Sequence, residues 1–196
     1  LPLAFLDVET TGLKPSLGDR VCEVAVLRCQ GDQVLDAYQQ LVDPGRPMSP
    51  GALVVHGISD EMLVGAPHFA HIASQVLEIL VGSVFVGHNA SFDLGFLASE
   101  LALAGTEMPS LVALDTLRLA RYLYRLQSYS LSAIVQALDL GSVSGAHRAM
   151  GDVALTRALF RHMVDGFSAL GIRTLEDYLL IQGGPISWER PRDLDL

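Results

Sequence analysis

The stretch LAFLDVETTG, residues 3–12, decides the fold because it joins a buried strand to a pair of acidic residues. Residues 3–8 are apolar except for Asp7, and a short apolar run of this kind is typical of a buried strand. Asp7 and Glu9 lie two residues apart, so both carboxylates point to the same side of the sheet. Carboxylates this close repel each other unless a cation or a shared proton offsets their charge. Acidic pairs also occur at ordinary strand ends, so this pair alone does not establish a site.

Two further strands follow the first one along the chain. Residues 21–29 and 34–42 are predicted as strands, and the Gly31-Asp32 pair between them indicates a hairpin turn. Ser49-Pro50 is typical of a helix start, with a capping side chain before a proline in the first turn. The later elements are predicted as helix, strand, helix, strand and helices, over residues 67–81, 84–87, 91–103, 111–114, 116–124, 130–138, 148–165 and from 174. This order predicts an α/β fold with a mixed five-stranded sheet and helices on both faces.

Composition limits the partners that the chain can have. Its 196 residues are 50% apolar and carry a formal net charge of −9, with a mean hydropathy of +0.37. We expect one folded domain over residues 1–182 and a C-terminal tail over 183–196. No apolar run approaches the roughly 20 residues of a membrane span, so no membrane contact is expected. The acidic balance argues against non-specific binding to nucleic acid, and any nucleic-acid role must be concentrated in a local site.

The cysteines predict a reducing compartment. Cys22 and Cys29 lie in one predicted strand, an odd number of residues apart. They therefore point to opposite faces, and the length of strand between them is too great for a disulfide. Free thiols suit a cytoplasmic protein. Residues 1–8 are too short for a signal peptide and lack a basic start, so the sequence predicts a cytoplasmic location.

Two later segments carry further acidic residues. HNASFD, residues 88–93, follows a short apolar strand and places Asp93 in the first turn of a helix. HRAMGD, residues 147–152, opens a long helix, with a histidine five residues before Asp152. Five helical residues rotate by about 500°, so the two side chains would not share a helix face. We therefore expect His147 in the loop before the helix, where its side chain can reach the site.

Together the three segments resemble the three exonuclease motifs of the DEDDh 3′→5′ exonucleases. This is the DnaQ-like proofreading group, which is built on a ribonuclease-H-like three-layer fold. The resemblance covers residues 3–165, with four acids and one histidine in the right order. A related subclass has a tyrosine four residues before the last acid; here Arg148 stands at that position and His147 precedes it. The resemblance thus assigns the histidine subclass and implies an exonuclease domain over residues 1–182.

The resemblance implies a catalytic site of four carboxylates and one imidazole. Oxygen ligands without cysteine favour Mg²⁺ or Mn²⁺ over zinc, and two such divalent cations are the implied cofactors. By resemblance, Asp7 bridges both cations, while Asp93 holds the second. Glu9 and Asp152 complete the first cation's site. His147 takes the proton from the attacking water, a task that suits a group with a pKa near neutrality.

Seven further residues are candidates for substrate contacts. In similar enzymes the turn after the first motif receives the terminal nucleotide, which here implicates Thr10, Thr11, Gly12 and Leu13. Gly12 permits close approach of the backbone, and Leu13 is placed to wedge beside the terminal base. The alternative is a plain turn with a partly buried leucine.

The other three candidates lie in two separate segments. His56 matches a segment that lies against the terminal base in the family, although a lone histidine among apolar residues is often only a structural one. Asn89 and Phe92 belong to the second motif. They either contact the substrate or brace Asp93 by hydrogen bonding and packing.

The leading interpretation is a metal-dependent 3′→5′ exonuclease. It would release nucleoside 5′-monophosphates from single-stranded or frayed DNA 3′ ends, in proofreading or DNA repair. One alternative is an RNA-trimming exoribonuclease, because the contacts to the 2′-hydroxyl that would decide this are not visible in the sequence. Another is an accessory subunit that docks on a polymerase or repair chain. The complete set of catalytic residue types argues against an inactive module but not against an active subunit.

Overall fold

A five-stranded mixed sheet forms the centre of the molecule. The computed structural model describes residues 1–141 and 148–188. The strands are β1 (Leu3–Thr10), β2 (Val21–Gln30), β3 (Gln33–Leu41), β4 (Val84–Gly87) and β5 (Ala113–Asp115). They lie in the order β3-β2-β1-β4-β5. β2 runs antiparallel to β1 and β3, whereas β4 is parallel to β1 and β5. The mixed sheet predicted from the order of elements is therefore confirmed.

The described residues form seven α-helices and two short 3₁₀ turns. The helices are α1 (Pro50–His56), α2 (Phe69–Leu80), α3 (Ala90–Leu103), α4 (Thr116–Leu123), α5 (Leu131–Ala137), α6 (Ala149–Ala169) and α7 (Leu175–Ile181). The 3₁₀ turns are Pro15–Leu17 and Asp60–Leu63. α1 starts as the sequence predicts, because the Ser49 side chain accepts a hydrogen bond from the Ala52 N–H. Within residues 1–141 and 148–188, no helix is both long enough and apolar enough to cross a membrane.

Apolar side chains fill the space on both faces of the sheet. On one face α2 and α3 pack over a core that includes Leu6 and Val8 of β1. On the other face α4, α5 and α6 pack over a core that includes Phe5. Because successive strand residues alternate between faces, Asp7 and Glu9 lie on the α6 face together with Phe5. The alternation in β1 thus separates the acidic pair from the apolar core around α2 and α3.

α6 is longer than the sequence indicates. The predicted helix covers residues 148–165, whereas α6 continues to Ala169. Gly166 lies inside the helix, where a Cβ atom would come within 3.1 Å of the Leu123 side chain. This glycine therefore allows α4 to pack closely against α6, and it does not end the helix.

Within residues 1–141 and 148–188, the outer edge of β5 pairs with a side chain rather than with another strand. The buried Gln182 amide accepts a hydrogen bond from the Asp115 N–H at 3.0 Å and donates one to the Ala113 carbonyl at 3.0 Å. It thereby pairs with the open edge of β5 as a neighbouring strand would. Asp115 in turn accepts a hydrogen bond from the Asn89 N–H at 2.9 Å. Gln182 therefore supports the turn that leads into α3.

We expect Gln182→Ala to lower the free energy of unfolding by about 1–3 kcal/mol, because it leaves buried backbone groups of Asp115 and Ala113 unpaired. Urea unfolding followed by circular dichroism measures this change. Gln136→Ala is a matched control, because Gln136 is exposed on α5, and its effect should stay within about 0.5 kcal/mol. Equal effects of the two substitutions would contradict this role of Gln182.

Candidate active site

Three carboxylates from two distant segments meet at the end of β1. Asp7, Glu9 and Asp152 each offer an oxygen atom, and these atoms all lie within 4.8 Å of one another. Asp7 and Glu9 come from β1, and Asp152 lies in the first turn of α6. One cation can contact three oxygen atoms at this spacing, so the arrangement is able to hold a metal ion.

Asp93 lies beside this cluster but not within it. Its carboxylate is buried, and Oδ1 accepts a hydrogen bond from the Val8 N–H at 3.1 Å. β4 pairs with β1 only as far as Phe5, so Asp93 supplies an acceptor to β1 beyond the end of β4. The charge of Asp93 also raises the pKa of Asp7, the residue that precedes Val8.

Burial and mutual repulsion make the carboxylates hold protons strongly. Burial raises the pKa of Asp7 well above its usual value, and the charges of Asp93 and Glu9 raise it further. Burial, followed by the charge of Asp152, raises the pKa of Glu9 to about 8. Burial also raises the pKa of Asp93 well above its usual value. A divalent cation would supply positive charge that favours the ionised carboxylates, and it would displace their protons on binding.

A fifth acidic residue, which none of the three sequence motifs contains, lies next to the cluster. Glu23 of β2 is the cross-strand partner of Glu9 and is fully buried. Its carboxylate forms an ion pair with Arg148 at 2.7 Å. Burial alone would raise the pKa of Glu23, but hydrogen bonds from Arg148, Ala149 and Gln39 outweigh it and lower the pKa below its usual value. The sequence does carry a signal for Glu23, because it is the single charged residue in the apolar run VCEVAV. A charged residue that is buried nearly always has a partner, so this position predicts an ion pair.

The turn after β1 is held by its own hydrogen bonds. The Thr10 hydroxyl donates to the Gly12 carbonyl at 2.6 Å. Thr11 is fully buried, and its hydroxyl accepts a hydrogen bond from the Arg20 N–H at 3.0 Å. A Cβ atom at Gly12 would collide with the Asp19 carboxylate. Close packing of the turn therefore accounts for the glycine, and Thr11 is positioned inside the protein.

Leu13 and His56 differ in their exposure to solvent. Leu13 is 78% exposed, whereas His56 is only 6% exposed. His56 Nδ1 accepts a hydrogen bond from the Ile58 N–H at 3.0 Å, so Nε2 carries the proton and donates to the Thr10 carbonyl at 3.2 Å. The imidazole thus ties the end of α1 to the end of β1, and Leu13 presents apolar surface to solvent.

Asn89 and Phe92 shape the turn that delivers Asp93. Asn89 has a φ of 68°, a left-handed conformation that asparagine adopts more readily than most residues. Its backbone N–H is fixed by Asp115, as described above. The partly buried Phe92 ring packs against Phe96, with ring centroids 4.9 Å apart. Both residues support the start of α3 and thereby the position of Asp93.

His147, the predicted proton acceptor, lies outside the described residues, and its role stays a prediction. The neighbouring Arg148 is described and precedes α6 as its N-cap residue. Its guanidinium is directed to Glu23. The structure thus brings Asp7, Glu9 and Asp152 together and places Asp93 beside them.

Comparison with known proteins identifies the family. The RNase_T family model, described as an exonuclease, matches residues 4–160. The PolC-type DNA polymerase III of Thermotoga maritima is 35% identical over 175 residues, which are 88% of this chain and 12% of the polymerase. The 3′-5′ exonuclease DinG of Bacillus subtilis is 31% identical over 172 residues, which are 87% of this chain and 18% of DinG. The chain thus spans less than a fifth of the length of these curated relatives.

Solved structures share the whole fold. Exonuclease X, in complex with 5′ overhanging duplex DNA, is 30% identical with a TM-score of 0.69, and the match covers 92% of this chain and 99% of that one. Escherichia coli exonuclease I, in complex with a dT13 oligonucleotide, is 21% identical with a TM-score of 0.77, over 91% of this chain and 43% of that one. The second likeness concerns the fold alone. The predicted ribonuclease-H-like α/β fold and the DnaQ-like resemblance are confirmed, and the chain belongs to the RNase_T exonuclease family.

Proposed function

We propose that this chain is a metal-dependent 3′→5′ exonuclease that releases nucleoside 5′-monophosphates from single-stranded or frayed DNA 3′ ends. The observation that carries the proposal is the cluster of Asp7, Glu9 and Asp152, whose oxygens lie within 4.8 Å of one another. The named activity of DinG and the DNA bound to exonuclease X support the reaction and the substrate.

The donor set fits two divalent cations, Mg²⁺ or Mn²⁺. All of its ligand atoms are carboxylate oxygens, which these hard cations prefer. Asp7, Glu9 and Asp152 would hold one cation, and Asp93 would hold the other together with Asp7. When bound, the cations would neutralise charge on the scissile phosphate and acidify the attacking water. The raised pKa values of Asp7 and Glu9 support this fit, because they reflect burial and the repulsion of neighbouring carboxylates, which a divalent cation would offset.

The remaining chemistry belongs to the chain's own side chains. His147 would accept the proton of the attacking water, since imidazole titrates near neutral pH. The exposed Leu13 would pack against the terminal base. Thr10, Thr11 and Gly12 would form the turn that receives the terminal nucleotide, as their position after β1 suggests.

Three further residues complete the proposed substrate site, and we propose different roles for them. Both ring nitrogens of His56 form hydrogen bonds within the protein. We therefore propose that the carbon atoms of its ring contact the terminal base. We propose that Asn89 and Phe92 act mainly by bracing Asp93.

The cellular setting is also part of the proposal. The PolC-type relatives carry the matching region within a longer polymerase chain, which supports a polymerase or repair partner. Cys22 and Cys29 are buried free thiols, which supports a reducing compartment such as the cytoplasm. We place the exonuclease domain over residues 1–182 and the C-terminal tail over 183–196.

A labelled-oligonucleotide assay tests the proposal. Single-stranded DNA and matched RNA, labelled at either the 3′ or the 5′ end, are incubated with Mg²⁺, Mn²⁺ or EDTA. We expect rapid loss of the 3′ label from DNA, a descending ladder of 5′-labelled products, and no reaction in EDTA. Faster degradation of RNA would replace DNA by RNA as the substrate. Absence of hydrolysis with every metal would contradict the enzyme and leave a docking role.

We expect Asp152→Asn to lower kcat/KM by about 100-fold or more, because it removes a charged ligand worth several kcal/mol of transition-state stabilisation. Asp165→Asn is the matched control, since Asp165 is an exposed residue of the same helix. Its activity should stay within about twofold of wild type. An active Asp152→Asn enzyme would contradict the assignment of this carboxylate.

The metal-free protein should lose stability as the pH rises from about 5 to about 8. Burial raises the pKa of Glu9 from 4.5 to about 8, so in this window the folded protein retains a proton that the unfolded chain has lost. Thermal melting in EDTA measures the trend. Glu9→Gln removes this titration, so the pH slope should become more positive in the variant. Identical slopes for wild type and Glu9→Gln would contradict the raised pKa.

A further inference from the structure

Glu23 uses both carboxylate oxygens to hold one end of α6. Arg148 donates to it twice, from Nε at 3.0 Å and from Nη2 at 2.7 Å. The Ala149 N–H donates at 3.0 Å, and Gln39 Nε2 donates at 3.0 Å from the neighbouring strand. Since both oxygens already accept N–H groups, we do not assign Glu23 as a metal ligand. Its bonds instead join β2 and β3 to the start of α6.

The bond to Ala149 replaces a missing helix cap. The first N–H groups of a helix have no intrahelical acceptors and need partners from elsewhere. Arg148 is the N-cap residue of α6, and its side chain makes no capping hydrogen bond. The Glu23 carboxylate takes the N–H of Ala149, and its negative charge is favourable at a helix N-terminus. A strand residue therefore caps α6 from outside the helix.

This attachment determines where Asp152 lies. Asp152 follows Ala149 by three residues, less than one helical turn, so its direction is set by how the first turn of α6 is oriented. The planar guanidinium of Arg148 meets the Glu23 carboxylate through two parallel bonds, which restrict that orientation more than a single contact would. Glu23 is also the cross-strand partner of Glu9, so the attachment point lies next to the cluster.

The ion pair of Glu23 and Arg148 also reduces the charge repulsion between Glu23 and Glu9. Glu23 and Glu9 face each other across adjacent strands, where like charges repel. The Arg148 guanidinium pairs with Glu23 at 2.7 Å, and the Arg148 side chain is 39% exposed, whereas that of Glu23 is 1% exposed. It offsets part of the repulsion that Glu23 exerts on Glu9. A helix anchor and a countercharge are thus combined in one ion pair.

We propose that Glu23 and Arg148 are positioning residues that fix Asp152 against Asp7 and Glu9 and thereby set the affinity of the cluster for divalent cations. The proposal rests on the proposed function for its consequence in catalysis. Neither residue belongs to the cluster of Asp7, Glu9 and Asp152. They act through the position of α6.

The test measures Mn²⁺ affinity directly, by the electron paramagnetic resonance signal of unbound Mn²⁺, beside kcat and KM. Glu23→Gln and Arg148→Gln should each weaken Mn²⁺ binding by about 10- to 100-fold, as loss of supporting contacts around a metal site commonly does. At saturating Mn²⁺ the KM for the oligonucleotide should stay within about twofold. The double variant should bind Mn²⁺ no more weakly than Glu23→Gln alone, because the residues act as a unit.

Glu100→Gln is a matched control. Glu100 is also buried, accepts two bonds from Arg20 at 2.8 Å, and accepts the Val21 N–H at 2.9 Å. It belongs to α3 rather than to α6. Its substitution should lower the melting temperature as Glu23→Gln does, while Mn²⁺ affinity stays within about twofold of wild type. Equal weakening of Mn²⁺ binding in both variants would overturn the positioning role.

Arg148→Lys provides the conservative comparison and guards against loss of folding. It retains the charge but not the two-pronged contact, so its Mn²⁺ affinity should fall between those of wild type and Arg148→Gln. Wild-type Mn²⁺ affinity in a folded Arg148→Gln protein would overturn the proposal. If wild type binds Mn²⁺ without hydrolysing DNA, the proposed function fails while the affinity differences still decide the role of Glu23.

Discussion

Repulsion among closely spaced carboxylates is the constraint on which the rest of the site depends. Asp7, Glu9 and Asp152 lie closer together than charged groups tolerate without a countercharge. Such a group persists only where the surrounding structure holds each member in place. β1 supplies two of the acids from the middle of the sheet, and α6 supplies the third. Repulsion among these carboxylates lowers the stability of the metal-free protein. A bound divalent cation would relieve that repulsion, and the relief would contribute to its binding free energy.

The supporting structure is built from buried polar groups that are fully paired. Glu23 accepts bonds from three residues beside the cluster. Asp115 holds the Asn89 N–H, and Gln182 in turn holds the Asp115 N–H. The bond from the Ala149 N–H fixes the start of α6, which carries Asp152, and the bond from the Asn89 N–H fixes the start of α3, which carries Asp93. A buried network of this kind favours one arrangement of the backbone, because any shift leaves polar groups unpaired.

The sequence predicts those parts of the site that depend on local geometry. The two-residue period of a strand places Asp7 and Glu9 on one face, and the end of β4 places Asp93 in the first turn of α3. The approach of Asp152 to Asp7 is not local, because it depends on how α6 packs against β1. The role of Glu23 is hidden for the same reason, since its partner Arg148 is 125 residues away in the chain. α6 continues past the predicted end at residue 165 to Ala169, and Gly166 within this extension packs against Leu123.

The most direct measurement of the central claim is the position of bound metal. Crystals grown with Mn²⁺, with data collected at a wavelength where manganese scatters anomalously, would locate the cations independently of any activity. The account requires a Mn²⁺ peak in direct contact with oxygens of Asp7, Glu9 and Asp152. Strong peaks elsewhere in the protein, with none within about 2.5 Å of these carboxylates, would contradict it.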